Sequence, residues 1–172
     1  VSLLKKSFLL YTESPADEYG GSGLMGTCDD LLALLKDFIS DSPKVLKKET
    51  VEALFTPQIS TGALSLATLE GLRESGRIYE WFSTGDIKAK DAKLDHGLGG
   101  LIVQSEVPDF GQPASLILNW AGSPGSVWFA SRELGLVGLS MISYVPAGFS
   151  VVKEFQQAWK KDLWTTWNSL NG

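Results

Sequence analysis

Histidine and cysteine occur once each in the 172 residues, and each scarcity removes a class of chemistry. The single cysteine, Cys28, excludes an intrachain disulfide and fits a reducing, cytoplasmic compartment. One His and one Cys are too few soft ligands for a structural zinc site, and no other motif calls for a metal or a cofactor. A Ser-His-Asp triad would have to use His96, which lies in a Gly-rich stretch, and no Gly-x-Ser-x-Gly elbow occurs. Basic residues are in the minority as well: the net charge is −5 and the pI is near 4.9. Phosphate binding needs a basic patch, so no nucleic-acid partner is expected. The pairs Lys47-Lys48 and Lys160-Lys161 read as solvated helix faces. No apolar run reaches the roughly 18 residues of a membrane span. The amino end lacks both the basic start and apolar core of a signal peptide and an initiator Met, so the expectation is a processed or cut chain.

What is plentiful is apolar and aromatic: 44% hydrophobic residues, with six Trp and eight Phe, enough for one core of ordinary domain size. The stretch Ser115 to Tyr144 organises the rest. Ser115 to Trp120 is an apolar run, Ala121-Gly122-Ser123-Pro124-Gly125 a small-residue bend, and Val127 to Ser131 β-rich. Arg132-Glu133-Leu134-Gly135 then turns the chain into a last apolar run, Leu136 to Tyr144. Short runs of this composition, punctuated by Gly and Pro, predict strands. Trp120 stands where the first strand meets its bend. A bulky aromatic beside Gly allows close backbone approach with the ring walling one side, which makes it a candidate site wall.

Upstream, the cluster Gly20-Gly21-Ser22-Gly23-Leu24-Met25-Gly26 suggests unusual dihedrals or close packing. With no strand before it, it carries no phosphate-cradle reading. Thr27 with Asp30 forms a capping-box pattern before Leu31, Leu34, Leu35 and Phe38 at helical spacing. A second helix is predicted over Lys48 to Phe55, ending before Pro57, and a third over Ser65 to about Phe82, weakened by Gly71 and Gly76. His96 to Val103 reads as one strand with Gly where something packs close. Ser150 to Leu170 reads as a closing helix. Its predicted apolar stripe is Val152, Phe155, Trp159, Leu163, Trp167 and Leu170.

Two further catalytic patterns fail on the residues alone. Acidic residues lie in loops and helix starts such as Asp29-Asp30, where they serve the helix dipole rather than a carboxylate pair. Ser2-Leu3-Leu4-Lys5 matches Ser-x-x-Lys, in which the Lys activates the Ser. Chance supplies about one such match in a chain this rich in Ser and Lys, and a fraying terminus is a poor place for a nucleophile. A Ser2/Lys5-dependent hydrolase complete in this chain is therefore discounted.

Several segments together resemble the serine β-lactamase-related superfamily of class C β-lactamases, penicillin-binding esterases and fungal transesterases. They are Gly20 to Thr27, the Leu31 to Phe38 helix, Leu46 to Phe55, Gly97-Leu98-Gly99-Gly100, Trp120 to Gly125, Val127-Trp128-Phe129, and Gly135-Leu136. The Gly-rich bend followed by Val-Trp is similar to the fungal acyltransferases of polyketide biosynthesis. The resemblance implies an α+β fold, the carboxy-terminal part of a β-lactamase/transpeptidase-like domain. Residues 1–95 would end the helical region, and 96–172 would supply antiparallel strands and the closing helix.

It also implies a site. Trp120-Ala121-Gly122 stands where the family carries Lys-Thr-Gly or Trp-x-Gly, with Trp120, Ala121, Gly122 and Pro124 against substrate. The backbone N–H of Ser123 would be one oxyanion-hole donor, because acyl transfer needs preorganised donors at the developing tetrahedral oxygen. Trp120 in place of Lys removes a cationic anchor, which favours esters or thioesters over a carboxylate-bearing β-lactam. The family's Ser-x-x-Lys and Tyr-x-Asn both precede the Gly-rich loop and have no counterpart here. The expected partner is thus the missing amino-terminal part of the same enzyme, with a small-molecule acyl substrate. The rival expectation is a non-catalytic binding or scaffolding protein that keeps the fold remnant.

Overall fold

The computed structural model describes residues 26–59, 67–69, 71, 93–106, 111–122, 125–142 and 150–172, the Lys153 side chain excepted. The Ser2/Lys5 pattern, the Gly20–Met25 part of the glycine cluster, most of the third predicted helix, Ser123 and Pro124 lie outside them.

Helix α1 spans Cys28–Ile39 and starts as the capping box predicts. The Asp30 N–H donates to Thr27 Oγ1 at 3.2 Å, and the Thr27 N–H donates to Asp30 Oδ2 at 2.9 Å. Two donors that a helix start leaves unpaired are satisfied reciprocally. Together the Thr27 N–H and hydroxyl hold the Asp30 carboxyl below the usual carboxylate range. Helix α2, Lys48–Phe55, ends before Pro57 as expected.

Five strands follow: β1 Leu94–His96, β2 Leu101–Val103, β3 Ile117–Ala121, β4 Val127–Ser131 and β5 Leu136–Ser140. They form one antiparallel sheet in sequence order. Helix α3, Ser150–Asn171, closes the chain. The sheet therefore has two dressed faces. On one, Ile102, Leu118 and Ala130 pack with Leu35, Val51 and Phe55 of α1 and α2. On the other, Ile117 and Phe129 pack with Trp164 of α3, flanked by Trp159, Leu163 and Trp167. Alternating side chains within each strand feed the two cores.

The predicted strand over His96 to Val103 is instead a tight hairpin of β1 and β2. The Gly97 N–H donates to the Gly100 carbonyl at 2.8 Å and turns the chain between them. The glycines do mark close packing: a Cβ on Gly97 would strike the Leu54 carbonyl at the end of α2. β1 is short and carries Asp95 and His96, so no apolar run announced a strand ahead of the turn.

A polar staple ties the lower end of the sheet together. Glu133 Oε2 accepts from the Leu116 N–H at 2.7 Å and from Ser115 Oγ at 2.8 Å. Buried Ser131 donates its hydroxyl to the Leu116 carbonyl at 3.0 Å. The Leu116 N–H, then the Ser115 hydroxyl, lower the Glu133 pKa by stabilising its charged form.

The closing helix departs from its predicted stripe. Its buried ridge is Val152, Gln156, Lys160 and Trp164, while Phe155 and Leu170 face outward. The ridge runs at a spacing of four, and two of its members are polar, so a search for apolar periodicity rotates the helix away from it. Gln156 is satisfied by donating to the Gly125 carbonyl at 2.6 Å. Lys160, expected on a solvated face, is 6% exposed, and burial pushes its pKa down to about 7.

Candidate functional site

The candidate site grows from the top of β3. Register pairs β2 with residues 117–119 of β3 only, Leu101 opposite Asn119. Trp120 and Ala121 therefore run past the end of β2 while still paired with β4 through Trp128 and Val127. The Gly122 N–H donates to the Ser126 carbonyl at 2.8 Å, and the Gly125 N–H to the Gly122 carbonyl at 2.9 Å, which closes the bend. In an antiparallel ladder successive residues bond to opposite sides. With Gly122 turned to β4, the N–H and C=O of Ala121 point the other way, over the edge that β2 has vacated.

Gly100 makes that edge possible. It holds φ +153°, and a Cβ there would sit 2.6 Å from the Asn119 carbonyl and 3.4 Å from the Trp120 ring. Any other residue would push the turn off β3.

Trp120 shares its face with Leu118, two residues back, and so lies on the side of α1 and α2, opposite α3. It is 44% exposed. Its ring meets His96 edge-on, with centroids 5.5 Å apart and planes at 81°. His96 is fixed in turn by Nδ1–H donating to the Gly97 carbonyl at 2.6 Å; a carbonyl can only accept, which sets the tautomer. One residue earlier, Asp95 Oδ1 accepts three backbone N–H groups, from His96 at 2.7 Å, Ile59 at 3.1 Å and Gln58 at 3.2 Å. The exit of α2 is thereby pinned to the strand that carries the His.

The same sheet face continues from Trp120 across Trp128 to Leu139 in cross-strand register. Met141 lies just beyond, 47% exposed, and accepts a hydrogen bond at its sulfur from the Cys28 thiol at 3.2 Å. The result is an apolar and sulfur-lined surface between the top of β3 and the start of α1. Sequence reading singled out Trp120, Ala121 and Gly122 but treated His96, Cys28 and Met141 as unrelated; only a sheet register brings them to one end. Among the described residues, no group of three His, Cys, Asp or Glu side chains is placed to hold a metal ion. Nor is any helix among them long and apolar enough to cross a membrane.

No protein-family profile matches the chain. Individual relatives do. The chain is 36% identical over 159 residues to the acyltransferase calJ of Penicillium decumbens, covering 92% of this chain and 36% of that protein. It is 24% identical over 155 residues to a lovastatin esterase of Penicillium rubens, covering 90% of this chain and 37% of that protein. Among solved structures, unliganded simvastatin synthase of Aspergillus terreus superposes with a TM-score of 0.64 at 17% identity, over 79% of this chain and 33% of that one. The chain thus spans about a third of the length of the relatives it matches.

Proposed function

From a chain homologous to the carboxy-terminal third of fungal acyltransferases and esterases of β-lactamase-like fold, we propose that it forms one wall of a serine acyl hydrolase or transesterase site. The observation that carries this reading is the 36% identity to an acyltransferase across 92% of the chain. The strand end at Trp120 and Ala121, which among the described residues runs past β2 beside an apolar surface on the face opposite α3, supports it.

The roles follow from the chemistry of acyl transfer. A serine on the remaining polypeptide attacks the carbonyl carbon of an ester or thioester, and the carbonyl oxygen becomes an oxyanion. The Ser123 N–H donates to that oxygen, and the serine's own N–H is the second donor. The alcohol or thiol leaves, and water or an acceptor alcohol then attacks the acyl-serine. Trp120, Ala121, Gly122 and Pro124 line the acyl group on this side. Ala121, by the register above, directs its backbone groups toward the substrate edge.

A fluorophosphonate probe, which is attacked by an activated serine, tests the reading. The 172-residue chain alone should remain unlabelled. Mixed with the amino-terminal two thirds of the Penicillium decumbens acyltransferase, made as a separate polypeptide, it should give a labelled serine on that partner. Labelling of the chain alone that disappears in Ser2→Ala would replace this reading with a self-contained hydrolase. Stable association with no labelling would favour a binding or scaffolding role.

A further inference from the structure

Helix α3 reaches the bend between β3 and β4 from behind. Pairing of the two strands ends at Ala121 opposite Val127, so the Gly125 carbonyl lies beyond the ladder. Gln156 donates to it through Nε2 at 2.6 Å in a buried contact, and Gln156 is itself 5% exposed. One turn earlier Val152 presses on the same residue. A Cβ on Gly125 would sit 2.9 Å from Val152 Cγ1, and Gly125 holds φ +94°. Only glycine meets both demands.

Packing alone does not call for an amide here. Val152 and Trp164 on the same buried ridge are apolar. An apolar side chain of Gln's length would fill the space and leave a buried carbonyl without its donor. What the amide adds is a fixed direction. The Gly125 N–H donates to the Gly122 carbonyl at 2.9 Å, and the Gly122 N–H to the Ser126 carbonyl at 2.8 Å. Three hydrogen bonds in series therefore run from α3 to the head of β4. They commit both backbone groups of Gly122 and both of Gly125, the two residues that bracket Ser123 and Pro124 in the chain.

We propose that Gln156 is a positioning residue for acyl transfer: from the back of the sheet it fixes the Gly122–Gly125 bend and, through it, the aim of the backbone donor at the top of β3. This role rests on the acyl-transfer reading above, which supplies the Ser123 N–H as that donor. The hold on the bend rests on the hydrogen bonds themselves. Gln156 lies on the face opposite Trp120, so it acts through the bend and not on the substrate. A donor stabilises an oxyanion only if it is aimed before the charge forms. A displacement of about 1 Å in such a group costs up to roughly 10²-fold in rate.

Turnover of a p-nitrophenyl ester by the chain mixed with the amino-terminal partner named above tests this. Gln156→Met keeps the length and removes the donor. It should lower kcat roughly 10- to 100-fold and change KM by less than about threefold, since the oxyanion forms only after substrate is bound. Introduced into a Ser123→Pro chain, the same change should cost no more than about twofold, because the donor it acts through is already gone. A purely structural side chain would cost the same factor in both backgrounds. Gln156→Glu gives a second reading: a carboxyl of the same shape donates to the Gly125 carbonyl only when protonated. Its kcat relative to the parent's should therefore climb as pH falls. That comparison needs only the Glu variant and the parent, so it decides the matter even if Gln156→Met fails to fold. In the chain alone, Gln156→Met should speed exchange of the Gly122 and Gly125 amides roughly tenfold and leave the β3–β4 ladder amides unchanged.

Parent-like kcat in Gln156→Met, equal losses in both backgrounds, or a Gln156→Glu ratio flat with pH would overturn the proposal. Each of these leaves the acyl-transfer reading standing, because the parent mixture still turns over the ester. A parent mixture that neither turns over the ester nor labels with fluorophosphonate removes that reading, and the role of Gln156 with it.

Discussion

Lys160 is the residue at which charge and packing conflict most openly. Its ammonium lies under α3, and burial lowers its pKa from 10.5 to about 7. Between those two values the unfolded chain binds the proton and the folded chain does not, so stability rises with pH across that window. Below about pH 7 both forms are protonated, and the full cost of a buried ammonium is present. Lys160→Met, which keeps the length and removes the charge, should raise stability at pH 7 by roughly 1–4 kcal/mol. It should also flatten the rise between pH 7 and pH 10. Urea titrations at several pH values would show both effects. A variant less stable than the parent throughout would mean that contacts of the ammonium outweigh its desolvation. His96 makes a smaller case. Its ring holds the edge of Trp120, so His96→Ala should cost about 1 kcal/mol and shift Trp120 fluorescence, while His96→Phe restores both.

Helix α1 is the element whose sequence spoke most plainly, because Thr27 and Asp30 each have one partner within a single turn. Thr27→Ala should cost about 1 kcal/mol of stability. The lowered pKa of Asp30 adds a direction: its contribution is present above the ordinary carboxylate pKa and is lost as pH falls through the lowered value. The loss of stability on acidification should therefore be smaller in Thr27→Ala than in the parent, measurable by thermal melts from neutral to acid pH. The strands of the organising stretch were legible for a similar reason, since Gly122, Gly125 and Gly135 punctuate them locally. What escaped was information held between elements. The β1–β2 hairpin was missed because β1, Leu94-Asp95-His96, is too short and polar to read as a strand before its glycine turn. The stripe of α3 was misplaced because its buried ridge carries Gln156 and Lys160, and a polar residue is admitted to a core only by a partner or by a shift in its charge. His96, Met141 and Cys28 could not be joined to Trp120 without the strand order of the sheet and the packing of α1 on its face.

Among its described residues the molecule is a sheet with a core on each face, and the proposed chemistry asks for a serine supplied by the remaining polypeptide. This division makes the role of Ser123 testable in an unusual way. If its contribution is the backbone N–H, its side chain is dispensable: Ser123→Ala in the mixed assembly should label with fluorophosphonate and turn over an ester at rates within a few-fold of the parent. Ser123→Pro deletes the donor. Loss of one oxyanion-hole donor lowers kcat by about 10²–10³-fold, and KM should change far less, since the oxyanion forms only after substrate is bound. The Gly122 and Gly125 N–H groups close the bend, and a Ser123→Pro chain that keeps the parent's near-UV circular dichroism guards against simple misfolding. A Ser123→Ala variant as inactive as Ser123→Pro would place the hydroxyl in the reaction instead. Two active variants would remove position 123 from the oxyanion hole and leave the Trp120 edge as a binding wall only.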